Sequence, residues 1–231
     1  MPTMLITGSR KGIGRQLAEH FLAAGWTVFG GSRQPSDLRH ERYTHLQADL
    51  ADEAAVRDLF ATIRRAGGGL DALLNNAGIA SMNHCLLTPG AVVQQILGTN
   101  VTGTFLCCRE AAKLMQPRQS GRIVNFSTVA VPLRLEGEAA YAASKAAVEM
   151  LTRILARELA EFGITVNAVG PAPVATDLTR GVPAAKLAEL RSRLALKRDC
   201  TVAEIAHVVE FFLDPASAAV TGQVLYLGGV S

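Results

Sequence analysis

Short runs of uninterrupted apolar residues recur along this chain, separated by longer stretches whose apolar residues fall at helical spacing. Residues 4–7, 27–30, 44–47, 72–74, 123–126, 165–169 and 223–227 read as strands. They are apolar through both faces, as strands are when helices cover both sides of a parallel sheet. Between them, residues 13–24 place Ile13, Leu17, Phe21 and Leu22 on one face and stop at Gly25. Asp52 caps a pattern that runs to Arg65, with Val56, Leu59, Phe60 and Ile63 at helical spacing. Thr88 and Pro89 supply an N-cap and a first helical residue for a long helix toward Met115. Further helices are read over 141–161, closed by Gly163, and over 201–213, stopped before Pro215. This alternation predicts right-handed βαβ units. The expected fold is α/β: a doubly wound, parallel, seven-stranded, Rossmann-like sheet with helices on both faces. No linker divides the chain, so one domain over 1–231 is expected, with a substrate lid at about 172–200 where the alternation breaks.

Composition narrows the class further. Hydrophobic residues make up 49% of the 231 and charged residues 19%, enough for a sizeable core. The net charge of +3 is carried by scattered basic residues, so no nucleic-acid partner is expected. Cys85, Cys107, Cys108 and Cys200 form no CxxC pair and no zinc-type cluster, which predicts free thiols and no metal site. The first residues lack the charged-then-apolar order of a signal peptide, and no apolar run reaches the roughly 18 residues of a membrane span. A cytoplasmic protein without a membrane partner is expected.

The first strand ends in Thr7-Gly8-Ser9-Arg10-Lys11-Gly12-Ile13-Gly14 and enters a helix at once. Glycines let backbone amides approach a diphosphate, and the helix N-terminus adds partial positive charge. Placed between a first strand and a first helix, the loop predicts a dinucleotide cradle. TGxxxGIG at this place resembles the cofactor motif of the short-chain dehydrogenase/reductase family, in its compact single-domain branch. The resemblance extends to the C-terminus.

An NAD site usually has a carboxylate at the end of the second strand. Here the strand closes in Gly30-Gly31-Ser32-Arg33, and the next carboxylate is Asp37. Arg33 can clamp a 2′-phosphate, with Ser32 as a donor and Arg10 or Lys11 nearby. NADP(H) is therefore expected over NAD(H). By resemblance, Asp49 and Leu50 border the adenine ring.

Tyr141-Ala-Ala-Ser-Lys145 puts a phenol and an ammonium one helical turn apart. A free phenol, with a pKa of about 10, is a poor acid–base at neutral pH. A neighbouring ammonium, together with the positive charge of an oxidised nicotinamide, is expected to favour phenolate and lower that value. Asn75-Asn76-Ala77-Gly78 after the fourth strand is similar to the family's NNAG, and Asn100 resembles its structural and catalytic asparagine. The resemblance implies that Tyr141 donates or accepts the proton, that Lys145 binds the nicotinamide ribose, and that Asn100 supports a water path. Where the family usually has serine, this chain has Thr128, with Ser127 beside it. Neighbours on a strand face opposite ways, so one hydroxyl alone reaches the substrate carbonyl; spacing favours Thr128.

After the sixth strand, Asn167-Ala-Val-Gly-Pro171-Ala-Pro-Val-Ala-Thr176 resembles NxxxPGxxxT, which implies contacts to nicotinamide from Pro171, Val174 and Thr176. Ala172 replaces the family's glycine. Over 177–200, Leu178, Val182, Leu187, Leu190 and Leu194 form an apolar face. Arg180, Lys186, Arg191, Arg193, Lys197 and Arg198 are read first as a solvated face and second as an attraction for an acidic substrate or carrier. Trp26 is read as packing, and Glu138 lies either at the substrate mouth or in solvent. The implied function is NADPH-driven reduction of a ketone or aldehyde, with a 3-oxoacyl thioester as the leading substrate class. The implied assembly is a homotetramer or homodimer built on the two long helices. Thr128 and Ala172 leave open a second reading, a dinucleotide-binding sensor or scaffold without turnover.

Overall fold

The computed structural model describes residues 1–67, 69–175 and 182–230. Seven strands form one sheet: β1 (Thr3–Thr7), β2 (Thr27–Ser32), β3 (Tyr43–Gln47), β4 (Ala72–Asn75), β5 (Gly121–Phe126), β6 (Ile164–Gly170) and β7 (Val224–Tyr226). Their order is β3-β2-β1-β4-β5-β6-β7 and every pairing is parallel. Each run read as a strand lies on one of these, with ends shifted by a residue or two.

The helices are α1 (Gly12–Ala23), α2 (Glu53–Gly67), α3 (Gly90–Leu97), α4 (Gly103–Met115), the short α5 (Ala130–Leu133), α6 (Ala139–Glu158), α7 (Ala184–Ser192) and α8 (Val202–Leu213). The central strands sort their side chains by alternation. Met4 and Ile6 of β1 enter a core shared with Leu17 and Phe21 of α1 and Val209 and Phe212 of α8. Leu5, between them, enters the opposite core with Leu59 and Phe60 of α2 and Leu106 of α4. Both faces of the sheet are therefore covered, which explains why its strands are apolar throughout. Trp26 packs edge-on against Phe21 with centroids 5.8 Å apart. Cys107 and Cys108 are buried, and burial raises both thiol pKa values. No helix among the described residues is long and apolar enough to cross a membrane.

Two local expectations need correction. Pro89, not Thr88, is the N-cap of α3; the Thr88 hydroxyl is turned to the carbonyls of Asn83 and His84 instead. The long helix toward Met115 is also broken, by a π-helical turn over Gly98–Thr102 that separates α3 from α4.

Strand order reverses between β1 and β4, and ligands of open α/β sheets bind beyond the strand ends at such a point. A cleft of about 1360 Å³ opens there.

Candidate active site

At one end of the cleft the chain leaves β1 through Gly8, at φ +71°, and enters α1 through Gly12, at φ +61°. Only glycine takes these values without strain. A side chain at Gly14 would overlap the Asn76 amide and the Gly8 carbonyl. Asn76 is itself fixed, donating through Nδ2 to the Thr7 carbonyl at 2.9 Å, while the Ala77 amide donates to Thr7 Oγ1 at 3.0 Å. The segment after β4 thus braces the glycine loop. No side chain caps α1, whose N-cap Lys11 is extended. Unclaimed first-turn amides are a ready anion site. Gly8, Arg10, Lys11, Gly12 and Ile13 line the cleft, whereas Gly14 lies buried beneath it.

Ser32, Arg33, Asp49 and Leu50 line the same cleft. Arg33 is exposed there. Asp37, the nearest following carboxylate, is taken by Arg15 of α1, which also holds Glu19 at 2.7 Å. β2 and the turn after it, residues 27–36, carry no Asp or Glu of their own.

The other end is built by β5 and α6. Lys145 is 4% exposed and donates from Nζ to the Phe126 carbonyl at 2.7 Å. Burial lowers its pKa to about 8. Tyr141, one turn earlier, lines the cleft together with Thr128, whose Oγ1 accepts from the Ala130 amide at 3.2 Å. Burial first, then the negative Glu138, raise the phenol to about 12, and the Thr128 hydroxyl opposes them. Lys145 is not among the causes of this shift. Desolvation dominates, and the ammonium is engaged with Phe126. Ser127 and Thr128 lie just past the end of β5 and both line the cleft. The Ser127 Oγ is committed, donating to Glu149 Oε1 at 2.5 Å, and the Tyr226 hydroxyl donates to the same oxygen.

Asn100 is fully buried within the π-helical turn and does not line the cleft. Its Nδ2 donates to the Ile79 carbonyl and to Ser144 Oγ, both at 2.9 Å, and its Oδ1 accepts from the Ile79 amide at 2.9 Å. Ser144 in turn donates to the Tyr141 carbonyl at 2.7 Å. Asn100 therefore ties the segment after β4 to the first turn of α6. The interruption has a precedent in physics: π-turns sit frequently at functional sites.

Known proteins match this arrangement over nearly all its length. A family model described as "Enoyl-(Acyl carrier protein) reductase" matches residues 8–230. The 3-oxoacyl-[acyl-carrier-protein] reductase FabG of Staphylococcus aureus is 32% identical over 97% of this chain and 96% of its own length. FabG of Escherichia coli is also 32% identical, over 97% and 95%. The solved structure of ElxO with NADP bound superposes with a TM-score of 0.89 at 30% identity, covering 98% of this chain and 96% of that one. This chain belongs to the short-chain dehydrogenase/reductase family. It is an oxidoreductase with the family's Rossmann-like fold.

A further wall of the cleft in this short-chain dehydrogenase/reductase is supplied from Pro171 onward. Pro171 and Val174 line the cleft; Thr176 lies outside the described residues, as do Leu178 and Arg180. Ala172 is buried without a positive φ, so alanine is accommodated where the family has glycine. Val182, Leu187 and Leu190 supply the apolar face, and Leu194 joins the core. Several cations are engaged internally: Arg191 with Asp199 through paired bonds of 2.7 Å, Arg198 with Glu204, and Arg193 with the Leu133 carbonyl. The solvated-face reading fits these pairs better than attraction of an acidic carrier. Glu138 lines the cleft half-buried, its pKa raised by burial and opposed by Lys186 of α7. Met82 and Arg134 also line this wall, with no motif to mark them.

Proposed function

We propose that this chain is an NADP(H)-dependent reductase of ketones or aldehydes, with Tyr141 as its proton donor. The observation that carries the reading is that Tyr141, Thr128 and Lys145 line the same cleft as an uncapped helix N-terminus and an arginine at the end of β2.

The residues fit the cofactor. Amides of the Gly8–Ile13 loop would hold the diphosphate, Ser32 and Arg33 the 2′-phosphate, Asp49 and Leu50 the adenine side, and Asn76, Ala77, Gly78, Pro171 and Val174 the remainder. The relative solved with NADP supports this choice. Bound there, the cofactor supplies the hydride. At neutral pH the Tyr141 phenol holds its proton, as a donor to a developing alkoxide must. Thr128 Oγ donates to the same oxygen and stabilises its charge. Lys145 binds the nicotinamide ribose and, when charged, draws the phenol's pKa down from its resting height. Asn100 holds α6 in position, and Glu138 sets the charge at the substrate mouth. The shared placement of Tyr141, Thr128 and Lys145 in the cleft favours turnover over the sensor reading. A 3-oxoacyl thioester is the leading substrate class, supported by the names of the FabG relatives.

Thermal-shift titration with NADPH and NADH, followed by a carbonyl panel containing a 3-oxoacyl thioester, tests the reading. Stronger stabilisation by NADPH and consumption of NADPH with one panel member are expected; binding with no turnover across the panel would support the sensor. Arg33→Ala should weaken NADPH roughly 30-fold and leave NADH unchanged, the loss of one charge-assisted phosphate contact.

A pH effect follows from Lys145. An ammonium is charged below its pKa, here about 8. kcat/KM for reduction, which reports the free enzyme, should be level below that pH and fall roughly tenfold per unit above it. Lys145→Arg should move the alkaline limb upward; a limb that stays in place would remove Lys145 from this role.

Assembly is proposed through α4 and α6, whose Phe105, Met150 and Ile154 are 39%, 54% and 45% exposed. Sedimentation should return a dimer or tetramer.

A further inference from the structure

A hydrogen-bond chain runs behind the adenosine end of the cleft, and none of the motifs includes it. Ser9 Oγ lies 3.1 Å from the Tyr43 hydroxyl, which lies 2.9 Å from His45 Nδ1. His45 Nε2 lies 3.0 Å from the Gln34 carbonyl and 3.1 Å from Ser32 Oγ. Ser32 Oγ also donates to the Gln34 carbonyl, at 2.7 Å. Ser32 and Gln34 line the cleft; Ser9, Tyr43 and His45 do not.

The direction of the chain follows from its end. A carbonyl accepts only, so His45 Nε2 carries the proton that points at Gln34. Nδ1 is then the acceptor and takes the Tyr43 hydroxyl, which in turn takes the Ser9 hydroxyl. Every donor points from the glycine loop toward the turn after β2. The space for the chain is reserved by the backbone: a side chain at Gly30 of β2 would overlap both the Tyr43 and Ser9 oxygens.

Two donors therefore converge on one carbonyl. The Ser32 hydroxyl can rotate toward an incoming phosphate without stranding the Gln34 carbonyl, because the His45 N–H remains on it. Donor chains of this kind polarise one another.

We propose that His45 is a positioning residue for NADP(H) selectivity: by holding the Gln34 carbonyl it releases the Ser32 hydroxyl to the adenosine 2′-phosphate. The inference rests on the NADP(H) reading and adds a residue outside the contact surface. NADH has no 2′-phosphate, so its binding does not draw on this release.

The test is calorimetric titration of the full chain with NADPH, NADH and adenosine 2′,5′-bisphosphate. His45→Phe keeps a ring on β3 and removes both nitrogens. It should weaken NADPH and the bisphosphate roughly tenfold and change NADH less than about twofold, with kcat at saturating NADPH unchanged. Tyr43→Phe, which removes only the donor to Nδ1, should shift NADPH in the same direction by about threefold. A wild-type NADPH preference that survives both substitutions overturns the inference, as does an equal weakening of both dinucleotides. Equal affinity of the wild-type protein for NADPH and NADH overturns the NADP(H) reading itself, and this inference with it.

Discussion

Tyr141→Phe is expected to lower kcat about 10³-fold, with NADPH binding unchanged within about twofold. The size follows from what the hydroxyl does. Hydride arriving at a carbonyl carbon leaves charge on the oxygen, and general acid catalysis at that oxygen contributes in this range. The change removes one oxygen and keeps the ring that packs at the start of α6. Thr128, which lines the same cleft, stays in place and can still donate to the substrate. Cofactor binding should survive because the diphosphate cradle is formed at the other end, by the Gly8–Ile13 loop and its Asn76 brace. Steady-state rates at saturating NADPH, paired with a thermal-shift titration, separate the two quantities. Turnover that persists in Tyr141→Phe would remove the phenol from the chemistry.

The second large effect is expected at the neighbouring hydroxyls and has opposite outcomes at adjacent residues. Thr128→Ala should lower kcat about 10²-fold, the loss of one donor aimed at developing oxyanion charge. Ser127→Ala should change kcat less than about threefold, because its hydroxyl is committed to Glu149. It should instead reduce stability by about 1 kcal/mol, since the buried Glu149 carboxylate loses a donor and retains Tyr226. Comparing kcat and Tm for the two variants reads both effects. A larger kcat loss in Ser127→Ala than in Thr128→Ala would reverse the assignment.

The parts of this site that were legible in the sequence are those set by local backbone rules. Gly8 and Gly12 take positive φ, so glycine there announces the turn before any packing is known. The spacing of Tyr141 and Lys145 needs only the helical repeat. What was illegible depends on tertiary neighbours. The π-turn that sets Asn100 leaves the 3.6-residue pattern unbroken on either side, so residues 88–115 read as one helix. The raised pKa of the Tyr141 phenol comes from burial and from Glu138, and both arise only with the fold. The basic run near α7 looked unpaired because side-chain partners such as Glu204, or the Leu133 carbonyl, are found only by folding. His45 carries no motif, and its reach to Gln34 exists only once β3 lies beside β2.

The central claim is that one cleft holds nicotinamide at the hydroxyls of Tyr141 and Thr128. A crystal structure with NADP and a carbonyl or alcohol substrate tests it most directly. The account predicts the substrate oxygen within about 2.6–3.2 Å of both Tyr141 Oη and Thr128 Oγ1, with the nicotinamide ring stacked against that carbon. A nicotinamide seated away from Tyr141, or a substrate oxygen bound to neither hydroxyl, would contradict it.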